Sequence, residues 1–398
     1  MTLRLRLIVC IFIVLLFTGC NIAVTSFPAS PEAPVEAVEP TEIPPTPFPD
    51  TPAPPAIDAQ LVDAPAFVDI QFFNELDGWG VTETYVVRTN DGGITWYDVT
   101  PPDLEEVGST VHTFILDKDH AWVHKPDFNN FPNNGLLYRT ADGGLSWNIS
   151  STPFSGGDLS FLDANNGWML ADLGVGAGSN AVAVFQTSDG GATWTQTYTN
   201  DPNSPEASDT LPLGGIKSDL VPIDMQTAWV GGVVYSPGSI YLFRTDDGGQ
   251  TWTPVSLELP EGTEEAELGV DRDQMHLVSE QDGFLIVRMS GETTQTAVYV
   301  TNDGGKTWTL MPTLLPESGQ SDFLSAEEMI IYNGEQFYIT HDAARTWATV
   351  TPDIVFGDSF ALMDFINPES GWIVTVADDL HSLYRTHDGG ATWLPVTP

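Results

Sequence analysis

Apolar residues in this chain come in short runs, many of them alternating with polar residues and broken by turn-forming ones. Alternation with a period of two marks a strand with one buried face, and no stretch keeps the 3.6-residue period of a helix. In the first unit the pattern predicts strands at Phe67–Phe72, Trp79–Val81, Tyr85–Thr89 and Thr95–Val99. The last of these follows a phrase, Thr89-Asn90-Asp91-Gly92-Gly93-Ile94-Thr95-Trp96, that the chain writes seven times. Its copies centre on Asp91, Asp142, Asp189, Asp247, Asp303, Asp342 and Asp388, each with a tryptophan five residues on: Trp96, Trp147, Trp194, Trp252, Trp308, Trp347 and Trp393.

A second landmark precedes each phrase. It reads Asp77-Gly78-Trp79, His120-Ala121-Trp122, Asn166-Gly167-Trp168, Thr227-Ala228-Trp229, Asp282-Gly283-Phe284, Glu328-Met329 and Ser370-Gly371-Trp372. The repeat length of roughly 40 to 60 residues is that of propellers and solenoids. Four strands per repeat predict an all-β fold: a seven-bladed β-propeller of four-stranded antiparallel blades over residues 58–398. A β-solenoid is the alternative, but its rungs are shorter.

The repeated phrase has the form of an Asp-box, and its residue types suit a tight turn. The Asp carboxylate can accept N–H bonds from the next few residues, the second Gly supplies a positive φ, and Thr re-enters a strand. Trp then buries a large ring. Seven copies point to structure, since catalysis needs one site. The sixth copy, Thr340-His341-Asp342-Ala343-Ala344-Arg345-Thr346-Trp347, has Ala in place of both glycines. A positive φ at Ala344 would cost on the order of 1 kcal/mol, so the sixth blade is expected to be the weakest.

In a four-stranded blade the 1–2 and 3–4 turns share one face, and the 2–3 and blade-to-blade connections share the other. The first set is nearly constant in length. The second varies, through Lys125–Leu136, Asp172–Asn180, Ser236–Ser239, Met289–Gln295, Asn200–Lys217 and Glu258–Leu268. Variable loops on a rigid scaffold are where binding resides. Candidate partner-binding residues on that face are Phe128 and Phe131 in an Asn-rich insertion and Glu261, Glu264 and Glu265 in an acidic one. Arg272 and Arg288 are the arginines left for a central pocket. The alternative for the two phenylalanines is a long hairpin with its rings tucked onto the blade. Acids at Glu258–Glu267 lack the spacing of an EF-hand loop, and His120 and His124 lack a third ligand. No metal and no cofactor is expected.

Arg4 and Arg6 precede an apolar run from Leu7 to Phe17 that ends in Thr18-Gly19-Cys20, which predicts a signal peptide over residues 1–20. Gly19-Cys20 resembles the bacterial lipobox, although Phe17 stands where that pattern prefers Leu; acylation of Cys20 is the expectation and plain cleavage the alternative. Cys10 would leave with the signal. Residues 21–57, rich in Pro, Ala, Thr and Glu, predict a disordered linker. Asp and Glu number 55 against 13 Lys and Arg, a net charge of −42 that removal of Arg4 and Arg6 would take to −44. Such a surface repels nucleic acid and anionic lipid headgroups. The expected setting is extracytoplasmic, on the membrane through an N-terminal lipid.

Asp-boxes spaced in this way occur in sialidases, xyloglucan-degrading glycosidases, sortilin-type receptors and photosystem II assembly factors. The double landmark, Gly-Trp followed by Arg-Thr-x-Asp-Gly-Gly-x-Thr-Trp, most resembles the assembly-factor family. That resemblance implies a non-enzymatic scaffold that holds another protein, such as a membrane-protein complex, with carbohydrate as the other ligand class. The photosynthetic members present an arginine-rich docking surface, and this chain is poor in basic residues. A sialidase needs three arginines around the substrate carboxylate. Here Arg88, Arg139, Arg244 and Arg385 hold one repeated strand position and Arg345 lies inside an Asp-box, so no such triad can be assembled. Binding without turnover of sialosides or β-glucans is therefore expected, with a two-carboxylate glycoside hydrolase as the alternative.

Overall fold

The computed structural model describes residues 59–270, 274–316, 319–378 and 380–397. Cys20, the signal and the Pro-rich segment lie outside the described residues. Apart from two single-turn 3₁₀ segments, Gly108–Thr110 and Gly357–Ser359, every described element is a β-strand. All the strand ladders are antiparallel. Five sheets have four strands, and one has ten.

The first sheet follows the sequence pattern closely, with strands Phe67–Phe72, Gly78–Thr82, Val86–Thr89 and Tyr97–Asp98. The fourth and fifth repeats depart from it. Glu267–Gly269 pairs with both Val233 and the Arg288–Ser290 stretch, and so joins two four-stranded sets into the ten-stranded sheet. In the sequence, most of that strand falls inside the variable connection Glu258–Leu268. Asp172–Asn180 and Met289–Gln295 are also largely paired. They extend the hairpins Gly167–Gly176 with Ser179–Thr187 and Gly283–Ser290 with Thr294–Thr301. Gly174-rich sequence concealed the first of these, because glycine weakens a strand signal.

The Asp-box turns show why each residue type is needed. Thr95 N–H donates to Asp91 Oδ1 at 2.9 Å and its hydroxyl to Oδ2 at 2.6 Å, while Gly93 N–H donates to Thr89 Oγ1 at 2.9 Å. Thr95 therefore caps the carboxylate; the strand begins only at Tyr97. The same bonds recur at Asp142, Asp189, Asp247, Asp303, Asp342 and Asp388. Each turn also donates to the 1–2 turn of its own unit, as in Gly92 N–H to Leu76 O and Gly389 N–H to Glu369 O. The two constant turns thus share one face.

Landmark tryptophans tie neighbouring units together. Trp79, Trp122, Trp168, Trp229 and Trp372 are fully buried. Trp122 donates its Nε1–H to Gly190 O and Trp168 to Asp224 O, each in the following unit. Three of the four repeated arginines do the same work, whereas Arg244 pairs with Asp246 of its own unit at 2.6 Å. Arg88 bonds Gly143 O of the second Asp-box, Arg139 bonds Asp189 O of the third, and Arg385 pairs with Glu75 at 3.2 Å.

In the sixth Asp-box Ala343 and Ala344 hold φ of 56° and 61°. A left-handed conformation strains any residue with a Cβ. Replacing both by Gly should raise stability by about 1 kcal/mol after the entropic cost of glycine, read as a higher denaturation midpoint. An unchanged or lower midpoint would show that the strain is relieved elsewhere.

Candidate active site

The first strand of every repeat lines one channel of about 910 Å³. Register aligns these strands residue by residue: Gln71, Phe114, Ser160, Val221, His276, Asp322 and Asp364 each sit opposite the landmark position of the second strand. Only the sixth and seventh units place carboxylates there, and those units are adjacent. Side chains two residues earlier belong to the same strand face, and Asp69, Asp158 and Asp219 hold that position in the first, third and fourth units.

One oxygen of each carboxylate of the pair is taken up by the next strand. Asp322 Oδ2 accepts Phe365 N–H at 2.9 Å, and Asp364 Oδ2 accepts Phe72 N–H. Asp158 Oδ2 bridges in the same way to Leu220 N–H at 2.7 Å. Bridging alone is therefore structural; what sets Asp322 and Asp364 apart is their electrostatic pairing. Both are partly accessible from the channel. Desolvation by the wall pushes Asp322 up to about 7, against the opposing Phe365 hydrogen bond. Desolvation and then the charges of Asp322 and Asp69 push Asp364 well above the usual carboxylate range, with the Phe72 bond pulling the other way. Two carboxyl groups that cannot both ionise freely share protons near neutrality. His276 has its ring stacked on Phe323 with centroids 5.4 Å apart, and burial lowers its pKa.

These shifts give a pH signature. A raised carboxyl pKa means that the folded state binds the proton the unfolded chain has lost, so stability falls as pH rises from about 4 to about 7. Desolvation opposes ionisation of Asp142, Asp189, Asp247, Asp303 and Asp388, but their Thr and Ser hydrogen bonds prevail and hold them low. Their stabilisation is present above the usual carboxylate pKa and fades as pH drops below it. Denaturant unfolding should show maximal stability near pH 4–5. Asp322→Asn should flatten the decline toward pH 7; an unaltered slope would remove the desolvated pair from the account.

A second cavity, of about 390 Å³, opens beside the channel. Phe128 and Phe131 line it and remain 71% and 47% exposed, so their rings are not tucked onto the blade. The other sequence candidates lie elsewhere. Glu261, Glu264 and Glu265 are exposed and line neither cavity, and Glu264 Oε1 accepts Gly262 N–H at 3.3 Å. Arg288 is on a second strand, away from the channel wall, with Nη1 donating to Ser290 Oγ at 2.9 Å. Arg272 lies outside the described residues. His120 and His124 diverge: His120 Nδ1 is 3.0 Å from Asp117, whereas buried His124 lies 2.9 Å from Thr152 Oγ1. Among the described residues no group of three His, Cys, Asp or Glu side chains is placed to hold a metal.

Sequence reasoning missed the carboxylate pair. The signal was present: the residue eight positions before each landmark Trp, Phe284 or Ile330 aligns across all seven repeats. Only two neighbouring repeats carry Asp there.

The BNR/Asp-box repeat model matches residues 243–254 and 299–310. A Paenibacillus protein named xyloglucanase is 30% identical over 196 residues, which cover 42% of this chain. The chain spans only 18% of that relative's length. Among solved structures, the GH74 xyloglucanase from Xanthomonas campestris superposes with a TM-score of 0.56 at 13% identity, over 84% of this chain and 55% of that one. YCF48 bound to D1 peptide gives 0.50 at 18% identity, covering 84% and 98%. A PL25 ulvan lyase bound to its saccharide also gives 0.50, at 13% identity, covering 85% and 96%. At these identities the structures show the fold, an all-β Asp-box propeller type, and not the activity.

The expectation of binding without catalysis is corrected by one of these matches. The sequence relative that overturns it carries a xyloglucanase name. The physical reason is that counting arginines excludes only a clamp for an acidic sugar. Cleaving a neutral glycoside needs two carboxyl groups.

Proposed function

We propose that the chain is a carbohydrate-active enzyme on a seven-bladed propeller, cleaving glycosidic bonds with the paired carboxylates of its channel. The observation that carries this reading is the register match of Asp322 and Asp364 on adjacent first strands, where Asp322 accepts the N–H of Phe365, the residue next to Asp364. Glycoside hydrolysis needs one carboxyl group that keeps its proton for the leaving oxygen and a second that acts as base or nucleophile. Asp364, lifted by the wall and by two carboxylate neighbours, is assigned the acid. Asp322, raised by desolvation with no neighbouring carboxylate adding to it, is assigned the base or nucleophile. Asp69 keeps Asp364 protonated through its negative charge.

The test is incubation of the full chain with xyloglucan, mixed-linkage β-glucan and ulvan, followed by detection of new chain ends. Reducing ends without ultraviolet-absorbing unsaturated ends support hydrolysis. Unsaturated ends would replace it with a lyase, and no new ends from any polymer would overturn the enzyme reading.

The signal-like start and Gly19-Cys20 support a lipid-anchored, extracytoplasmic enzyme. Mass spectrometry of the mature protein should find acylated Cys20 at its N-terminus. An intact signal, or an unmodified terminus elsewhere, contradicts this.

A further inference from the structure

We propose that the 390 Å³ cavity beside the channel is a subsite for an uncharged sugar ring, making the enzyme selective for neutral glycans over uronate- or sulfate-bearing ones. The inference rests on the cleavage reading for its polymer, but its own observations are separate. The cavity's size suits a small ligand. Phe128 and Phe131 present exposed ring faces at its wall. An aromatic face gains most by covering an apolar surface, and the C–H face of a pyranose offers one while its rim remains polar.

The loop that carries the rings is held in place. Asn130 N–H donates to Asp127 O at 3.1 Å, Asn129 N–H to Asp127 Oδ1 at 3.1 Å, and Ser155 Oγ to Asp127 O at 3.1 Å. A fixed platform loses less entropy on binding than a mobile one. Around it, Asp158 and Asp172 supply carboxylate oxygens for hydroxyl partners.

Charge decides which sugars fit. Lys217 is the one lysine or arginine among the described residues lining this cavity, and it is 6% exposed. Its Nζ donates to the carbonyls of Asn180, Leu213 and Gly215 at 3.0, 2.8 and 3.2 Å, and it lies 5.0 Å from the Tyr241 ring. An ammonium has three protons, so all three donors are committed to backbone. A bound uronate or sulfate would meet Asp158 and Asp172 with no uncommitted lysine or arginine donor to offset them, within a chain of net charge −42. The cavity also continues into the channel, because His112, Gly157 and Asp158 line both. The subsite therefore adjoins the channel that Asp322 and Asp364 line.

Isothermal titration tests the proposal on the full chain carrying Asp364→Asn to block turnover. The probes are a xyloglucan heptasaccharide and an oligoglucuronate of similar length. The heptasaccharide should bind and the oligoglucuronate should not. Phe128→Ala with Phe131→Ala should weaken binding about tenfold or more, as expected for two lost stacking contacts, and the Phe128→Tyr, Phe131→Tyr pair should restore it. Both rings are exposed, so thermal unfolding should not change. Equal or tighter oligoglucuronate binding, indifference to both Ala substitutions, or no binding of either probe overturns the subsite. Ring-dependent heptasaccharide binding by a wild-type chain that cleaves nothing overturns the cleavage reading and leaves the subsite standing. Cleavage that ignores the rings does the reverse.

Discussion

Trp372→Ala is expected to lower unfolding free energy by about 3–5 kcal/mol, the range for truncating a fully buried large aromatic. The indole is fully buried and joins the end of the chain to its beginning. It stacks on Phe72 with centroids 3.8 Å apart and an interplanar angle of 2°, and its Nε1–H donates to Gly92 O at 3.1 Å. From its own sheet, the Arg385 guanidinium covers the ring at 4.7 Å, and Arg385 also reaches Glu75 of the first unit. In a repeat array each unit is stabilised by its neighbours, so a void here weakens both terminal sheets at once. Trp372→Phe should recover part of the loss, because it refills volume without the Gly92 bond. Denaturant titration checks this. A loss under about 1 kcal/mol would show that the first and last sheets do not depend on this joint.

The repeat made most of the fold legible. Asp91, Gly93 and Trp96 each have a type-specific role in a turn, and seven copies average away the ambiguity of any one strand. What escaped reading was set by pairing between units. Glu267–Gly269 becomes a strand because Val233 on one side and Arg288–Ser290 on the other offer it edges, and no local propensity announces that. Thr95 looked like a strand residue because β-branching favours strands, yet its hydroxyl is spent on Asp91. For the site, the exposed rings of Phe128 and Phe131 were legible as an aromatic insertion. Glu261, Glu264 and Glu265 stand out in the sequence by charge alone, and they line neither cavity. Asp322 and Asp364 are unremarkable among 55 acids until register sets them side by side.

Asp364→Asn should reduce polysaccharide cleavage about a hundredfold to ten-thousandfold, the range for losing a general acid. Asn is nearly isosteric and can still accept the Phe72 N–H through its amide oxygen, so folding should be retained. It cannot deliver a proton to a leaving oxygen. Asp322→Asn should be comparably damaging, because the opposite role then fails. The wild-type rate should follow a bell whose limbs belong to the coupled pair as a whole, and not to either residue alone. The most direct measurement is reducing-end release from xyloglucan across the pH range by the full wild-type chain and by Asp364→Asn, with unfolding midpoints recorded alongside. Wild-type release that falls at least a hundredfold in the variant, at an unchanged midpoint, is the predicted result. Release that the variant matches, or none from the wild type at any pH, would contradict catalysis by the channel carboxylates.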